Sequence, residues 1–273
     1  MTILDSSFHT QGFSYENYPL SIVIPAYNEE GRLPKTLEKI LSWNEISPVV
    51  VNEIIIVDDG STDSTRQIVT HYIGVDERIK LVQGGHVGQM NAILTGFRSA
   101  QSPYLLNIDA DCPINLSDID TLVPLLERHD MVMGSRLLRG LPEIGSVTGK
   151  SFFRKTLSYG YSTLFRILFP VNIYDPQIGF KIYSKAAFDS IIESIRLPHD
   201  GLKSSEIVLR FFGGGYRIKE CPINYAHDED SRCVPKKFPI KIIYIIFINL
   251  FCMYSILKKD YKSGIVKRKC TRF

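Results

Sequence analysis

Short apolar runs alternate with helical segments through the first 110 residues, and this alternation constrains the fold more than any other feature. The runs at Leu20–Pro25, Glu53–Val57, Ile79–Gln83 and Tyr104–Ile108 are rich in apolar, β-branched residues and do not alternate with polar ones. The segment Glu29–Trp43, by contrast, has its apolar residues at helical spacing. Continuously apolar strands joined by helices are typical of a parallel sheet covered on both faces. We therefore predict an α/β fold with a mostly parallel central sheet flanked by helices.

The second half of the chain continues this pattern less regularly. Two further strands are predicted, one over Met131–Arg136 and one at the end of Asp175–Ser184. A helix is predicted over Ser151–Phe169 and an edge strand over Tyr216–Tyr225. No stretch has the composition of a linker. We predict a lead-in over residues 1–19, one domain over 20–235, and an apolar, membrane-associating helix with a basic tail over 236–273.

Composition and charge indicate a folded protein with an uneven surface. The 273 residues are 44% hydrophobic and 22% charged, and the net charge is +3. Seven Lys or Arg and one Asp lie in Lys258–Phe273, so the preceding residues carry 25 basic and 28 acidic groups. The five cysteines follow no metal or disulfide pattern, which favours a reducing, cytosolic setting. We expect neither a signal peptide nor a nucleic-acid partner.

Acidic residues follow the predicted strands at their carboxyl ends. Asp58 and Asp59 end the second strand, and Asp109 and Asp111 follow the fourth. Sheets of this kind bind ligands at that edge. Two carboxylates so close together are costly to ionise without a cation, and a divalent metal relieves that cost while also holding phosphate. The Asp-x-Asp pattern alone is equally consistent with a solvated turn.

Three strand ends taken together are more specific. The stretches SIVIPAYNEE (Ser21–Glu30), IIIVDDGSTDS (Ile54–Ser64) and LLNIDAD (Leu105–Asp111) resemble, in this order and spacing, the family 2 glycosyltransferases with their GT-A nucleotide-sugar fold. The resemblance covers roughly Leu20 to Tyr225. It implies a nucleotide diphosphate sugar as donor and Mg²⁺ or Mn²⁺ as cofactor.

The resemblance also implies roles for residues on the donor side. The end of the first strand cradles the nucleotide, the second strand end contacts the base or ribose, and the Asp-Ala-Asp turn lies at the ribose and the metal. The residues so implied are Pro25, Tyr27, Glu29, Asp58, Asp109, Ala110 and Asp111, with Asp111 as the principal metal ligand and Asp109 as a second. Asp59 can instead serve only as a cap or turn residue.

Later motifs resemble the subgroup that transfers sugar to a polyprenyl phosphate. They are a Gly-Ser-Arg ending at Arg136, an Arg154/Ser158 pair at i, i+4, and a DPQIGFK stretch ending at Lys181. Two residues four apart share a helix face, so they can grip one anion together. The implied acceptor-phosphate ligands are Arg136, Arg154, Ser158, Lys181, Ser231 and Arg232, with Arg136 also acting on the leaving diphosphate.

An absent motif agrees with an anionic acceptor. Relatives that act on sugar hydroxyls often carry a catalytic Asp and a Gln-x-x-Arg-Trp motif, whereas Trp43 is the only Trp here. A phosphate acceptor is already ionised near neutral pH and needs no general base. The expected mechanism inverts the anomeric centre. Asp200 or Glu206 is the candidate base if the acceptor is a hydroxyl; Glu206 alternatively orients a loop or the acceptor, or is an exposed helix residue.

Three positions depart from the family pattern. Where relatives often have Asn-x-Gly-Lys, this chain has Gly85–Gln89, in which His86 either replaces a phosphate-facing lysine or is a turn residue. Pro113 stands where some relatives have a metal-binding Gln. Three acidic residues precede Ser231 and Arg232, in place of a basic loop.

The segment Phe238–Leu257 is apolar and about 30 Å long as a helix. It is consistent with an interfacial helix, one short spanning helix, or a helix packed on the domain. With the basic tail it predicts a location on the cytoplasmic face of a membrane.

These observations predict a metal-dependent glycosyltransferase that moves sugar from a donor such as UDP-glucose or GDP-mannose to a polyprenyl phosphate. The alternatives are a family 2 enzyme acting on a sugar hydroxyl and a non-catalytic nucleotide-sugar-binding protein. A nucleotidyltransferase would need a Gly-rich basic loop after the first strand, which PAYNEEGR does not resemble. The sugar, the base, and whether the chain forms a homo-oligomer stay open.

Overall fold

The computed structural model describes residues 13–138, 149–197, 200–225 and 240–271. Its strands are β1 (Leu20–Ala26), β2 (Val51–Asp58), β3 (Ile79–Gln83), β4 (Tyr104–Asn107), β5 (Met131–Ser135), β6 (Lys181–Ser184) and β7 (Ile218–Pro222). Its α-helices are α1 (Leu33–Ile46), α2 (Thr65–Ile73), α3 (Gln89–Ser99), α4 (Ser117–Leu122), α5 (Gly149–Leu168), α6 (Lys185–Ile191), α7 (Lys203–Gly214) and α8 (Ile240–Lys262).

The seven strands form one sheet in the order β3-β2-β1-β4-β6-β5-β7. Of the strands in the described part of the chain, β6 alone runs antiparallel to its neighbours β4 and β5. The carboxyl ends of the other six therefore meet at one edge, and β6 begins at that same edge with Lys181. The predicted mostly parallel α/β sheet is confirmed, and so is β7 as an edge strand.

The core lies on both faces of the central strands. Every residue of β1 is buried, and β1 pairs in parallel with β2 on one side and β4 on the other. Helix α3 lies close on this sheet because Gly96 has no side chain. A Cβ at Gly96 would collide with Val23 and approach Val57 to 2.9 Å. Close packing of this kind is why core positions tolerate little added volume.

Helices α1 and α8 each have a boundary that differs by about one helical turn or more from the one that the sequence pattern predicts. Helix α1 begins at Leu33 rather than Glu29. The preceding residues form a loop instead, because the backbone N–H groups of Glu29 and Glu30 donate to Thr65 Oγ1 (2.8 Å) and Asp63 Oδ2 (3.1 Å). Helix α8 continues past Leu257 to Lys262, through charged residues that the apolar pattern excludes.

One face of α8 packs against the protein. Leu250, Met253, Leu257 and Asp260 are buried, and the ring of Tyr254 lies 6.4 Å from that of Phe169, just after α5. Within the residues that the structure describes, no helix is both long enough and apolar enough to cross a membrane.

The described part of the basic tail packs on α7. The N–H groups of Lys267 and Arg268 both donate to the carbonyl of Gly213, at 2.8 and 2.9 Å. Cys270 is buried beside them, with its thiol 3.6 Å from the carbonyl of Leu209. The backbone of the tail therefore forms part of the fold, while the side chains of Lys267 and Arg268 stay exposed.

Candidate active site

The Asp-Ala-Asp turn lies at the carboxyl end of β4, and side chains of α1 donate hydrogen bonds to carbonyls of the turn and of the residues after it. Thr36 Oγ1 donates to the carbonyl of Ala110 at 2.7 Å. Lys39 Nζ donates to the carbonyls of Cys112 (3.0 Å) and Ile114 (2.8 Å). These bonds satisfy carbonyls in a turn that includes Cys112 at a φ of 40°. The backbone that carries the two carboxylates is therefore fixed by groups outside the site.

The carboxylate of Asp109 lies in a confined place. Gln89 Nε2, at the start of α3, donates to Asp109 Oδ1 at 2.8 Å. Gly179 faces the same carboxylate so closely that a side chain there would collide with it. Burial, followed by the nearby charge of Asp111, raises the pKa of Asp109 to about 6. A cation at this carboxylate would therefore relieve an unfavourable charge.

Arg136 stands beside the aspartates at the end of β5. Its Nε and one terminal nitrogen donate to the two oxygens of Asp175, at 2.7 and 2.8 Å, and its own N–H donates to Asp175 Oδ2 at 3.1 Å. The guanidinium also lies 5.2 Å from the centre of the Tyr225 ring. Burial lowers the pKa of Arg136, but the bond to Asp175 outweighs it, and the net direction is upward. Arg136 is thus a fixed positive charge.

A carboxylate on β7 holds the partner of Arg136 in turn. Glu220 accepts the N–H groups of Tyr174 (2.8 Å) and Asp175 (2.7 Å). Because the Asp175 side chain is only 3% exposed, the Arg136–Asp175 pair has little freedom to move. A bidentate pair held in this way loses little side-chain entropy when an anion binds.

Lys181 lies at the start of β6 and is fully buried. Its Nζ donates to Ser204 Oγ at 2.7 Å and to the carbonyl of Ile178. Burial lowers its pKa to about 7, against the pull of the Asp175 charge. The prediction that Lys181 binds the acceptor phosphate stays a prediction; its amine interacts electrostatically with Asp175, Arg136 and Asp109.

The aspartate pair fits a divalent cation. Mg²⁺ usually takes one or two protein carboxylates and completes its shell with phosphate oxygens and water, and Asp109 and Asp111 supply such a pair. Among the described residues no cluster of three or more His, Cys, Asp or Glu side chains is placed to hold a metal ion.

The residues implied for the nucleotide lie along the ends of β1 and β2. Asp58 is buried; it accepts the Ser61 N–H at 3.1 Å and is bonded by Arg66 Nε. Burial opposes its ionisation, yet these bonds prevail and lower the pKa of Asp58. Asp58 is therefore an anionic acceptor at the rim of the sheet.

The rings of Tyr27 and His86 lie next to each other near the ends of β1 and β2. The Tyr27 ring, 43% exposed, lies 5.1 Å from the ring of His86, and His86 Nδ1 contacts the carbonyl of Asp59 at 2.7 Å. Pro25 is buried within β1, and Glu29 forms an ion pair with Arg32 at 3.5 Å. The rings of Tyr27 and His86 thus offer a stacking surface for a base.

The two candidate bases lie in different surroundings. Both oxygens of Asp200 accept backbone N–H groups from the first turn of α3. Glu206 is 1% exposed and accepts from Arg210, from the Arg196 N–H (3.0 Å) and from the Leu197 N–H (2.7 Å). Glu206 therefore orients the backbone at Arg196 and Leu197, as one interpretation of the sequence anticipates. The exposed-helix interpretation is wrong because the side chain is buried.

The remaining acceptor candidates are only partly described. Arg154 and Ser158 both lie on α5 at the expected helical spacing, with Ser158 partly exposed; the side chain of Arg154 is outside the described residues. Ser231 and Arg232 lie outside the described residues altogether.

Several residues at the site carry no role in the sequence prediction. Gln89, Asp175 and Tyr225 each contact a predicted site residue, and Glu220 holds Asp175 in turn. Asp175 lies within the DPQIGFK motif, so the motif is the signal that points to it. Glu220 and Gln89 are ordinary polar residues in sequence, and their positions follow only from the fold.

Comparison with known proteins identifies the family of this chain. The family model named glycosyl transferase family 2 matches residues 21–192. The chain belongs to this family. It is 33% identical over 234 residues to the dolichyl-phosphate beta-glucosyltransferase of Dictyostelium discoideum, covering 81% of this chain and 70% of the relative. The human protein of the same name is 30% identical over 232 residues, covering 79% and 70%.

Solved structures share the fold at lower identity. Glucosyl-3-phosphoglycerate synthase from Mycobacterium tuberculosis, in complex with Mn²⁺, UDP and phosphoglyceric acid, superposes with a TM-score of 0.59 at 17% identity, over 86% of this chain and 78% of that one. S. aureus TarS with UDP-GlcNAc gives a TM-score of 0.55 at 18% identity, over 85% and 66%. The fold is therefore GT-A-like, and the chain is a glycosyltransferase by its family.

Proposed function

We propose that this enzyme transfers a sugar from a nucleotide diphosphate sugar to a polyprenyl phosphate at a membrane surface. The observation that carries the proposal is the meeting, at one sheet edge, of the Asp109/Asp111 pair with the fixed guanidinium of Arg136. A site of this kind suits a reaction whose donor and acceptor are both phosphate esters. The names of the relatives add a glucosyl group and a dolichyl phosphate acceptor.

The donor lies across the ends of β1, β2 and β4. Tyr27 and His86 stack with the base, and Asp58 accepts hydrogen bonds from base or ribose. Asp109 and Asp111 would hold a divalent cation, and Ala110, buried between them, lets the backbone approach the ribose. A bound Mg²⁺ or Mn²⁺ would offset the charge of the diphosphate as it leaves. Pro25 and Glu29 shape the start of this surface.

The acceptor needs no base, because its phosphate is already an anion near neutral pH. A phosphate oxygen forms a bond to the anomeric carbon while the bond from that carbon to the diphosphate oxygen breaks, so the centre inverts. Arg136, with Arg154 and Ser158 from α5, holds the two anions close enough to react. This is positioning and electrostatic stabilisation rather than proton transfer.

The exposed face of α8 is the part of the enzyme that we assign to the membrane. Tyr244 (64% exposed), Phe247 (55%) and Phe251 (71%) lie on one face of the helix, opposite its buried side. Lys258, Lys259 and Lys262 continue that face towards the end of the helix and are exposed. Aromatic side chains followed by lysines match the interface and head groups of an anionic bilayer.

A transfer assay tests the proposal. Detergent-solubilised enzyme would receive labelled UDP-glucose or GDP-mannose, Mn²⁺ or Mg²⁺, and one of three acceptors: dolichyl phosphate, dolichol without the phosphate, or soluble oligosaccharides. We expect label in the organic phase only with dolichyl phosphate, and from UDP-glucose. Label on dolichol or a saccharide would support a hydroxyl acceptor, and nucleotide binding without any transfer would support a non-catalytic protein.

The membrane contact has a separate test. Phe247→Ser with Phe251→Ser should reduce co-sedimentation with vesicles of phosphatidylcholine and phosphatidylserine by about tenfold or more. Replacing Lys258 and Lys259 by Ala should weaken binding only to the anionic vesicles. Equal sedimentation of all variants would contradict the assignment of α8.

A further inference from the structure

The loop between β3 and α3 is held by two acidic side chains from distant parts of the chain. This loop spans residues 84–88. From the end of β2, Asp59 accepts the N–H groups of Val87 at Oδ1 (3.2 Å) and Gly88 at Oδ2 (2.9 Å). Asp200, just before α7, accepts the N–H groups of the two residues that follow Gln89: Met90 at Oδ2 (2.8 Å) and Asn91 at Oδ1 (3.1 Å). Four of the five backbone N–H groups from Val87 to Asn91, all but that of Gln89, thus donate to these two carboxylates.

The fit around Asp200 is close. Gly88 has a φ of 105°, and a Cβ there would lie 2.7 Å from Asp200 Oδ2. Lys203 reinforces the same contact, because its Nζ donates to Asn91 Oδ1 at 2.6 Å and lies 3.7 Å from Asp200 Oδ1. The residues before α7 and the first turn of α3 therefore form one hydrogen-bonded unit.

This unit ends at the donor site. Gln89 lies between the donors that Asp59 and Asp200 bind, and its side chain donates to Asp109 Oδ1. His86, in the same loop, contacts the Asp59 carbonyl and stands beside Tyr27. Moving the first turn of α3 would therefore shift groups that touch both Asp109 and the stacking surface.

We propose that Asp200 is a positioning residue for the donor site, and that it acts by capping α3. An ionised carboxylate at a helix N-terminus is stabilised by the N–H donors it accepts and by the helix dipole. A general base must take up a proton, and protonation of either Asp200 oxygen would weaken the bond that this oxygen accepts from Met90 or Asn91. The inference rests on the proposed function for the identity of the donor site, and on contacts alone for the cap.

The experiment compares Asp200→Ala, Asp200→Asn and Lys203→Met with the control Asp189→Asn. Asp189 forms an exposed ion pair with Lys185 on α6, so its variant removes a charge without touching the loop. Amide hydrogen exchange at Met90 and Asn91 needs only folded protein. We expect exchange there to accelerate about fivefold or more in Asp200→Ala, less in Asp200→Asn and Lys203→Met, and not in the control.

Binding of UDP and of GDP, each with Mn²⁺, supplies the functional readout. We expect the Kd of the nucleotide that binds, and the donor KM, to rise about fivefold in Asp200→Ala while kcat changes less and the pH profile keeps its shape. A kcat lowered about 10²-fold or more with an unchanged donor KM and a lost limb of the pH profile would make Asp200 a base and overturn the proposal.

The remaining outcomes separate this inference from the proposed function. Faster exchange with unchanged nucleotide Kd would overturn the role in donor binding, and so would variants that match Asp189→Asn. If Asp200→Ala does not fold, Asp200→Asn and Lys203→Met decide by the same criteria. A wild-type enzyme that binds UDP but transfers nothing to a polyprenyl phosphate refutes the function and leaves this comparison intact; one that binds neither nucleotide overturns both.

Discussion

Two clusters of buried charged side chains in this molecule differ in the direction in which the pKa of a carboxylate is shifted. At the sheet edge, burial and Asp111 raise the pKa of Asp109 to about 6, and burial lowers the pKa of Lys181 to about 7. Between α7 and α8, Arg210 bonds Glu206 at 2.9 Å and also bonds Asp260. There burial opposes the charge on Asp260, but its Arg partners prevail and lower its pKa.

The difference separates a binding site from a structural element. In the α7–α8 network every charged group has a partner of opposite sign, so the network is complete without a ligand. At the sheet edge the carboxylates are held close together by the fold and favour an added cation. Perturbed pKa values of this kind cluster at functional sites. The comparison predicts that the sheet-edge variants lose activity and that the α7–α8 variants lose stability.

The largest expected effect is on activity, from Asp111→Asn. The substitution removes one charge of the pair while keeping the shape of the side chain, so we expect kcat to fall about 10³-fold or more. Thermal unfolding should stay within about 3 °C of wild type, as for Asp189→Asn. A variant with nearly full activity would break the assignment of the sheet edge as the catalytic centre.

Next in size is the effect of Arg210→Met on stability. Removing this fully buried guanidinium takes away the charged partner of Glu206 and one of the two that bond Asp260, so the free energy of unfolding should fall by about 3–5 kcal/mol. Urea denaturation measures this, and the folded fraction should keep its kcat. Adding Glu206→Gln and Asp260→Asn should recover part of the loss. A fall below about 1 kcal/mol would contradict the view that the network closes the α7–α8 contact.

Arg136→Lys tests both sides of the comparison. Lysine keeps the charge but cannot make both bonds to Asp175, so we expect kcat/KM to fall about 10²-fold and stability by about 1–2 kcal/mol. Initial rates and urea denaturation measure the two effects. If only stability changed, Arg136 would belong with the structural group instead.

The smallest effect is a pH dependence of stability at Asp260. Because the pKa of Asp260 in the folded state lies below its ordinary value, its contribution is present above about pH 4 and is lost as the pH falls through the folded pKa. The stability difference between wild type and Asp260→Asn should thus shrink on acidification. Urea denaturation at pH 7, 5 and 3 would measure it; a difference that grew towards pH 3 would contradict the sign.

The sheet and the aspartate turn can be predicted from sequence because their signals are local. The apolar run of β4 leads directly into Asp109 and Asp111, so strand and carboxylates are read from neighbouring letters. The contacts that complete the site are not local. Arg136 and Asp175 are 39 residues apart, and Asp200 reaches the first turn of α3 from 110 residues away.

Buried charge is the second reason that the sequence pattern falls short. A charged residue in a helix is ordinarily exposed, so Glu206 and Asp260 give no sign that they pair with Arg210. The predicted apolar segment ends at Leu257 for the same reason. Helix α8 in fact continues to Lys262 and so includes Asp260, which pairs with Arg210. Only the packing of α7 against α8 shows that these charges belong inside.

The central proposal is that Asp109 and Asp111 bind a divalent cation together with the diphosphate of the donor. Calorimetric binding of the nucleoside diphosphate that the donor panel identifies, with EDTA and with Mn²⁺, tests it most directly in wild type and Asp111→Asn. We expect Mn²⁺ to tighten binding about tenfold or more in wild type and to have little effect in the variant. Equal affinity with and without Mn²⁺ in wild type would contradict it.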